Sequence, residues 1–294
     1  FSTTRINILK RMADSIWSVK QNAYVILEHW CDNSEEKQLA EYGMMLWGNV
    51  TSGYQNAAKG YIANSSLMNG IYTNRTWTLP HLITYMESHD EERLMFEAIT
   101  YGNAINPSHN AKDPYTALGR MQGLAVSFLT QPGPKMIWQF GEIGYDISID
   151  YPCRVCNKPI LWNYLQQGRR QQLLDVYKAT LALRNNYETF RSLNFQASLG
   201  AGIKRMIMNH SSMNGISLVN VDVNVASAIP AFQHTGWWYE YFSGDSLNVS
   251  NVNSGIILQP SEYRVYTDIK LPKPYITSVA SLEELENEAF EFKV

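Results

Sequence analysis

The chain has 294 residues, 45% of them apolar or aromatic, enough material for one large core or two ordinary ones. Charged residues make only 17%, and 24 Lys+Arg against 27 Asp+Glu leave a formal charge of −3, so there is no basic field to attract nucleic acid. No apolar run reaches the roughly 20 residues of a membrane helix, and residues 1–5 lack the charged-then-apolar order of a signal peptide, so neither a membrane span nor an export signal is expected. Three cysteines cannot build a disulfide framework, although Cys153 and Cys156 form a C-x-x-C that closes either a small disulfide loop or a pair of free thiols. The 18 Tyr, 8 Trp and 10 Phe exceed what packing needs in a chain so poor in charge, and flat sugar rings are one use for them.

Ile6, Leu9, Ala13, Ile16 and Trp17 recur at helical steps behind Thr3 or Thr4 as N-cap, which predicts an amphipathic helix with no strand before it. Residues 23–27 (AYVIL) form a continuous apolar run, the pattern of a parallel strand covered on both faces, and end in Glu28-His29-Trp30. Ser34 followed by Glu35 and Glu36 predicts a capped helix, succeeded by a short strand over residues 44–47. A helix with Tyr54, Ala57, Ala58 and Tyr61 on one face follows, then a strand at 82–86 running into Glu87-Ser88-His89-Asp90. Residues 91–99 read as helical at once, with His89 and Asp90 as a capping pair. Tyr115, Leu118, Met121, Ala125 and Phe128 mark another helix; residues 136–140 form a fourth strand; Leu173, Leu174, Tyr177 and Leu181 belong to a closing helix. Four strands alternating with helices imply right-handed βα units and a parallel sheet.

From about residue 190 the apolar period becomes two. Segments 203–208, 216–223, 237–242 and 262–267, separated by Gly, Asn and Ser, read as antiparallel strands of a small sandwich, with Trp237-Trp238-Tyr239 packing alternately. This places a partial barrel in residues 1–188, a β-sandwich in 189–270, and a linker with an acidic tail in 271–294.

A (β/α)₈ barrel spends roughly 31 residues on each unit and carries its chemistry at the C-terminal ends of its strands. Glu28 and Asp90 both end predicted strands at a separation of two such units, so they sit on alternate strands and face one mouth. Two carboxylates converging beside His89 and Trp30 are the raw material of glycoside hydrolysis, in which one acid protonates the leaving oxygen and carboxylates stabilise an oxocarbenium-like transition state. Only half a barrel is present: counting back one unit from Glu28 puts the end of the strand before that of Glu28 at or before residue 1, so any residue it contributes is expected to lie outside this chain.

At these residues the chain resembles the α-amylase family of retaining glycoside hydrolases (glycoside hydrolase family 13), over nearly its whole length. Glu28-His29-Trp30 is similar to that family's fifth-strand Glu-x-Trp motif, Tyr85 through His89-Asp90 to its seventh-strand motif, and residues 131–144 to its PGxPxxxxGxExG turn and eighth strand. The run from Met86 to Arg93 is most like amylases of Bacteroidetes-like bacteria. The resemblance implies Glu28 as general acid/base, Asp90 as the carboxylate that grips sugar hydroxyls, and His89, His29, Trp30 and Arg93 as substrate-binding residues. Ser88 departs from the Asn of many members. The third-strand motif, and the fourth-strand motif with the nucleophilic Asp, are absent, so the chain is expected to be the C-terminal part of an amylase, inactive alone. No metal ligand set or cofactor is expected within these residues; calcium would belong to the complete enzyme. Zinc at Cys153 and Cys156 lacks two of its four ligands. The expected partner is an α-glucan, in an extracellular or periplasmic compartment, with self-association through unpaired barrel edges. Two other readings stand beside this one: a noncatalytic α-glucan-binding protein, and a transglycosylase of the same family.

Overall fold

The structure, a computed structural model, describes residues 1–279; the acidic run 283–291, read above as a solvated tail, lies outside the described residues. The first helix, α1 (Thr3–Val19), is capped by Ser2, whose hydroxyl accepts from Arg5 N–H, and not by Thr3 or Thr4. It buries Ile6 and Ala13 while leaving Ile8, Met12 and Ile16 exposed. Strand β1 is only Ile26–Leu27, and Tyr24 is 81% exposed. The apolar run 23–27 is thus not covered on both faces, because β1 is an edge strand paired with a single neighbour.

Helix α2 (Asn33–Tyr42) is capped by Asp32, whose Oδ1 accepts from Ser34 N–H at 2.8 Å, so Ser34 is the second residue of the helix and not the cap it was expected to form. Strand β2 (Met45–Asn49) pairs in parallel with β1 and with β3 (Leu82–Tyr85), and β3 pairs in parallel with β4 (Lys135–Met136). Close packing of β2 on β3 requires glycine at Gly48, where a Cβ would meet Leu82 Cδ1 at 2.7 Å. Helices α1 and α2 pack on β2 and β3 through Ile6, Ala13, Leu39 and Ala40 against Leu46 and Leu82, while α3 (Thr51–Lys59), α4 (Leu94–Tyr101), α5 (Pro114–Leu129) and α6 (Gly168–Asn186) pack on one another in the largest core. The strand order β1-β2-β3-β4 follows the sequence, the pattern of successive βα units. Among the described residues, the outer edges of β1 and β4 have no strand partner.

The remaining strands are β5 (Phe195–Ser198), β6 (Ile203–Met208), β7 (Gly215–Asn220), β8 (Ala226–Ala228), β9 (Gly236–Glu240), β10 (Ser246–Val249), β11 (Ile256–Leu258) and β12 (Tyr263–Thr267). Six form an antiparallel sheet in the order β10-β9-β12-β7-β6-β5, faced by the pair β11-β8. On β9 the alternation holds: Trp238 is buried and Trp237 exposed. On β7 it does not, because all six residues are buried. One face of β7 packs Ile216 and Leu218 against Trp238, Phe232 and Leu258, while Val219 joins the core of α5 and α6 on the other. Residues beyond β12 return to α6, where Thr277 N–H donates to Asp175 Oδ2 at 3.0 Å.

Arg120 of α5 crosses the seam between barrel and sheet. Its guanidinium donates to the carbonyls of Ala58 (2.7 Å), Ala57 (2.6 Å) and Val221 (2.6 Å) and to Ser261 Oγ (3.2 Å). His109 Nε2 lies 2.7 Å from the same Ser261 hydroxyl. Burial, with Arg120 beside it, pulls the His109 imidazole from its usual 6.5 down to about 4. Between those values the unfolded chain binds a proton that the folded chain refuses, so stability falls as pH drops from 6.5 towards 4. After discounting for partial exposure, this should cost about 1–2 kcal/mol at pH 4.5 relative to pH 7. His109→Gln should remove that part of the pH dependence, which urea unfolding midpoints of both proteins at the two pH values will show.

Candidate active site

The C-terminal ends of β1 to β4 open on one side of the sheet. Glu28 follows β1, Asn49 ends β2, Tyr85 ends β3 and Met136 ends β4; with Trp30, Trp47, Trp138 and the 88–91 loop they enclose a cleft of about 430 Å³. Within it Glu28, His89 and Asp90, all exposed, each present a polar atom within 4.8 Å of the other two. His89 Nε2 lies 3.4 Å from Asp90 Oδ2, and the His89 ring centre lies 6.0 Å from that of Trp138. Trp30 is 54% exposed at the rim. Burial, then the nearby carboxylates of Glu91, Glu28 and Asp90, pushes the Tyr85 hydroxyl far above its ordinary range, so at neutral pH it is a proton-bearing donor facing three acids.

The loop carrying His89 and Asp90 owes its shape to Glu87. This buried carboxylate accepts from Leu94 N–H at 2.7 Å and lies 3.4 Å from Arg93 Nη1. Burial raises its proton affinity, opposed by Arg93 and by the Leu94 hydrogen bond. Because Glu87 takes the first free N–H of α4, the helix starts at Leu94 and not at residue 91, so His89 and Asp90 do not cap it. Ser88 and Asn49 both donate to the Glu91 carboxylate, and Asp90 N–H donates back to Ser88 Oγ at 3.1 Å.

Of the other residues expected to bind substrate, His29 lies outside the cleft and Arg93 borders a second lobe of it. His29 turns away from the cleft to Glu35 Oε1, at 2.9 Å. Glu35 is fully buried and held down to about 2, chiefly by hydrogen bonds from Arg5, with His29 and Ser2 N–H adding to them against the cost of burial. His29 is therefore a structural partner of α2, as the residue after a strand-end acid faces the opposite side. Arg93 is buried, its guanidinium 4.7 Å from the Tyr145 ring and 5.9 Å from the Trp138 ring, where it borders a second lobe of the cleft. That lobe, about 380 Å³, shares Ser88, His89, Asp90 and Trp138 with the first and adds Gln139, Ile149 and residues 154–158.

The sequence reading missed Trp138 and Arg154. It placed Trp138 inside a strand at 136–140, but β4 ends at Met136 and the chain turns through Phe140 in the left-handed region into a one-turn 3₁₀ helix (Gly141–Ile143). This turn packs on Glu87: a Cβ at Gly141 would lie 2.6 Å from Glu87 Oε2. Arg154 sits in the C-x-x-C segment, whose two cysteines are joined by a disulfide. The cysteine spacing was the available signal.

Neither group of potential metal donors among the described residues suits calcium, which takes six to eight oxygens. Glu28 and Asp90 bring an imidazole with them, and His29, Cys31 and Glu35 offer nitrogen, sulfur and a carboxylate already engaged by Arg5. Removing the Glu87 carboxylate should leave Arg93 buried without its partner and Leu94 N–H unpaired. We expect Glu87→Ala to lower stability by about 3 kcal/mol in urea unfolding, as for other broken buried pairs.

No family model matches the chain, and no curated protein matches it at a significant level. Solved structures do match. An alpha-amylase from Geobacillus thermoleovorans in complex with acarbose superposes with a TM-score of 0.64 at 14% identity, over 89% of this chain and 57% of that one. An alpha-amylase from H. orenii gives 0.62 at 16% identity, over 90% and 57%. A cyclomaltodextrin glucanotransferase with a three-domain ABC distribution gives 0.67 at 14%, over 90% and 54%. At these identities the likeness is one of fold: half of a (β/α)₈ barrel followed by a β domain, as in the C-terminal part of an α-amylase. The chain spans little more than half the length of each of these structures.

Proposed function

We propose that the chain is the acid/base-bearing part of a retaining glycosidase acting on α-1,4-glucans. The observation that carries this reading is the convergence of Glu28, His89 and Asp90 within 4.8 Å, at the ends of alternate strands, in a cleft walled by Trp30, Trp47 and Trp138. Glu28 then protonates the glycosidic oxygen, Asp90 accepts hydrogen bonds from sugar hydroxyls and offsets charge on the ring, and His89 donates to the same sugar. The tryptophans offer apolar surface to the ring faces. The neighbouring folds include hydrolases and a glucanotransferase, so hydrolysis and transfer share this part of the mechanism.

A retaining mechanism needs a nucleophilic carboxylate about 5 Å from the acid. On this proposal that group comes from outside the 294 residues, and Asp90 stays to the side of the anomeric carbon. A second reading is favoured by one observation: Asp90 and Glu28 each present a carboxylate oxygen within 4.8 Å of the other, close enough for a retaining pair, whose carboxyl groups stand about 5 Å apart. Assay of the purified chain on starch and on an activated maltooligosaccharide, before and after adding a second polypeptide carrying the other half of the barrel, separates the two. Activity only after addition is expected; activity before it would show that a carboxylate within the 294 residues serves as nucleophile and would overturn the half-site reading. In the active assembly, Glu28→Gln should lower turnover on unactivated glucan by about 10²–10⁴ while leaving glucan affinity nearly unchanged, and full turnover would remove Glu28 from its role.

The surfaces available for that assembly are the unpaired edges of β1 and β4. Unpaired strand edges template pairing with another chain. We expect the isolated chain to self-associate in sedimentation velocity; a clean monomer would count against pairing through these edges.

A further inference from the structure

The mechanism above leaves His29 and Cys31 unused, although they flank Trp30 in the segment that follows Glu28. A ring nitrogen of His29, Cys31 Sγ and a carboxylate oxygen of Glu35 all lie within 4.8 Å of one another. Three donors of three kinds thus converge between the end of β1 and the first turn of α2. The Glu35 side chain is fully buried there and that of His29 is 13% exposed. With Cys153 and Cys156 joined in a disulfide, Cys31 is the remaining thiol of the chain. It also lines a further cleft, of about 440 Å³, together with Trp30, Asn33, Glu36 and Asn74, which gives an ion and its water a way in.

Glu35 is held as a metal-bound carboxylate has to be held. A carboxylate has about four lone-pair directions. Three are filled: Oε2 accepts from Ser2 N–H at 2.7 Å and from Arg5 Nη2 at 2.9 Å, and Oε1 accepts from Arg5 Nε at 2.6 Å. The fourth, on Oε1, faces His29 Nε2 at 2.9 Å. Outer partners of this kind fix the orientation of a ligand and tune the ion it holds. One imidazole, one thiol and one carboxylate are the donor set of zinc, with water in the fourth tetrahedral position; calcium and magnesium take oxygen alone. We propose that His29, Cys31 and Glu35 form a zinc site that ties the end of β1 to α2 and steadies the segment bearing Glu28 and Trp30.

Binding exchanges protons for the ion and changes no oxidation state. Cys31 gives its thiol proton to solvent and binds as thiolate, while the neutral imidazole keeps its proton on Nδ1 and turns the Nε2 lone pair to the ion. The Oε1 lone pair that faces His29 goes to the ion as well, so Arg5 and Ser2 keep their hydrogen bonds. Bonds of about 2.0–2.1 Å from zinc to nitrogen and oxygen hold two tetrahedral donors roughly 3.3 Å apart, so His29 and Glu35 need to part by only a few tenths of an ångström. Arg5 already balances Glu35, and Arg75 balances Glu36 at 2.8 Å, so the charge that draws the ion is that of the new thiolate.

Cobalt(II), which replaces zinc in tetrahedral sites and reports its ligands by absorption, tests the assignment on the 294-residue chain without reductant, so that Cys153 and Cys156 stay paired. We expect the titration to give tetrahedral ligand-field bands in the visible and a thiolate-to-cobalt charge-transfer band in the near ultraviolet, both removed by zinc. Cys31→Ser should abolish the charge-transfer band and weaken binding by at least about 100-fold, since outer-shell partners alone are worth about 10–100-fold. His29→Gln should weaken it comparably, and His89→Gln should leave it unchanged. Zinc at a hundredfold excess over its Kd should raise the thermal unfolding midpoint of the unaltered chain by roughly 5 °C and leave that of Cys31→Ser where it was. Absence of a thiolate band in the unaltered chain overturns the site. So does cobalt binding that survives Cys31→Ser and His29→Gln but is lost in His89→Gln, which would place the ion with Glu28 and Asp90 in the cleft. Circular dichroism of the variants excludes unfolding as the cause, and because no readout involves sugar, the outcome is independent of the glucan reading.

Discussion

A single buried carboxylate sets the geometry of the cleft. Glu87 stands at the end of β3 with its oxygens turned inward, where it takes Leu94 N–H and faces Arg93. Burying a charge is costly unless partners are supplied, so once Glu87 is placed there the chain must bring both partners to it. That requirement pins residue 87 and residue 94 together and forces 88–93 to bridge them as a loop over the sheet. His89 and Asp90 ride on that loop. Arg93, drawn in to face Glu87, lies beneath Trp138 and so fixes the floor of the second lobe. The turn after β4 also follows from Glu87, because its carboxylate fills the place a side chain at 141 would need. Three walls of one cleft therefore depend on one acid that never reaches the solvent.

The placement of charge around the sheet divides in the same way. In front, Glu28, Asp90 and Glu91 gather without a lysine or arginine among the lining residues of the first lobe. Behind β1, Glu35 and Glu36 occupy the first turn of α2, where the helix dipole favours them, and each has an arginine, Arg5 and Arg75 respectively. The same alternation that puts Glu28 forward sends His29 back.

Much of this architecture is legible in the amino-acid order, and the failures have physical causes. Residues 82–85 are uniformly apolar but for one threonine and become the fully buried β3. The helix 114–129 was read from its apolar face alone; Asp113, which accepts from Thr116 N–H, and Pro114 are a cap signal that the reading left unused. The start of α4 was misplaced because a carboxylate seven residues upstream competes for its first N–H, a contact that no periodicity reveals. β4 was drawn too long because Ile137, Trp138 and Phe140 are apolar for the sake of the cleft rim and the turn, not a strand. In the candidate site, Glu28, His89 and Asp90 were visible from the spacing of two βα units and do come together. His29 was carried along by its neighbours in the motif, while its true partner lies on the next helix. Arg154 escaped because the meaning of a C-x-x-C depends on what the closed loop faces.

The double burial of β7 has a consequence for how the molecule comes apart. A strand whose two faces belong to two different cores, with Arg120 tying helix-end carbonyls of α3 to the backbone beside it, cannot leave one core without exposing the other. The change from helical to two-residue periodicity near residue 190 is thus a change of architecture without a break in packing. Shared burial of this kind couples opening of the barrel half to opening of the β sheet, and the helices α5 and α6 behind the cleft are braced against that sheet.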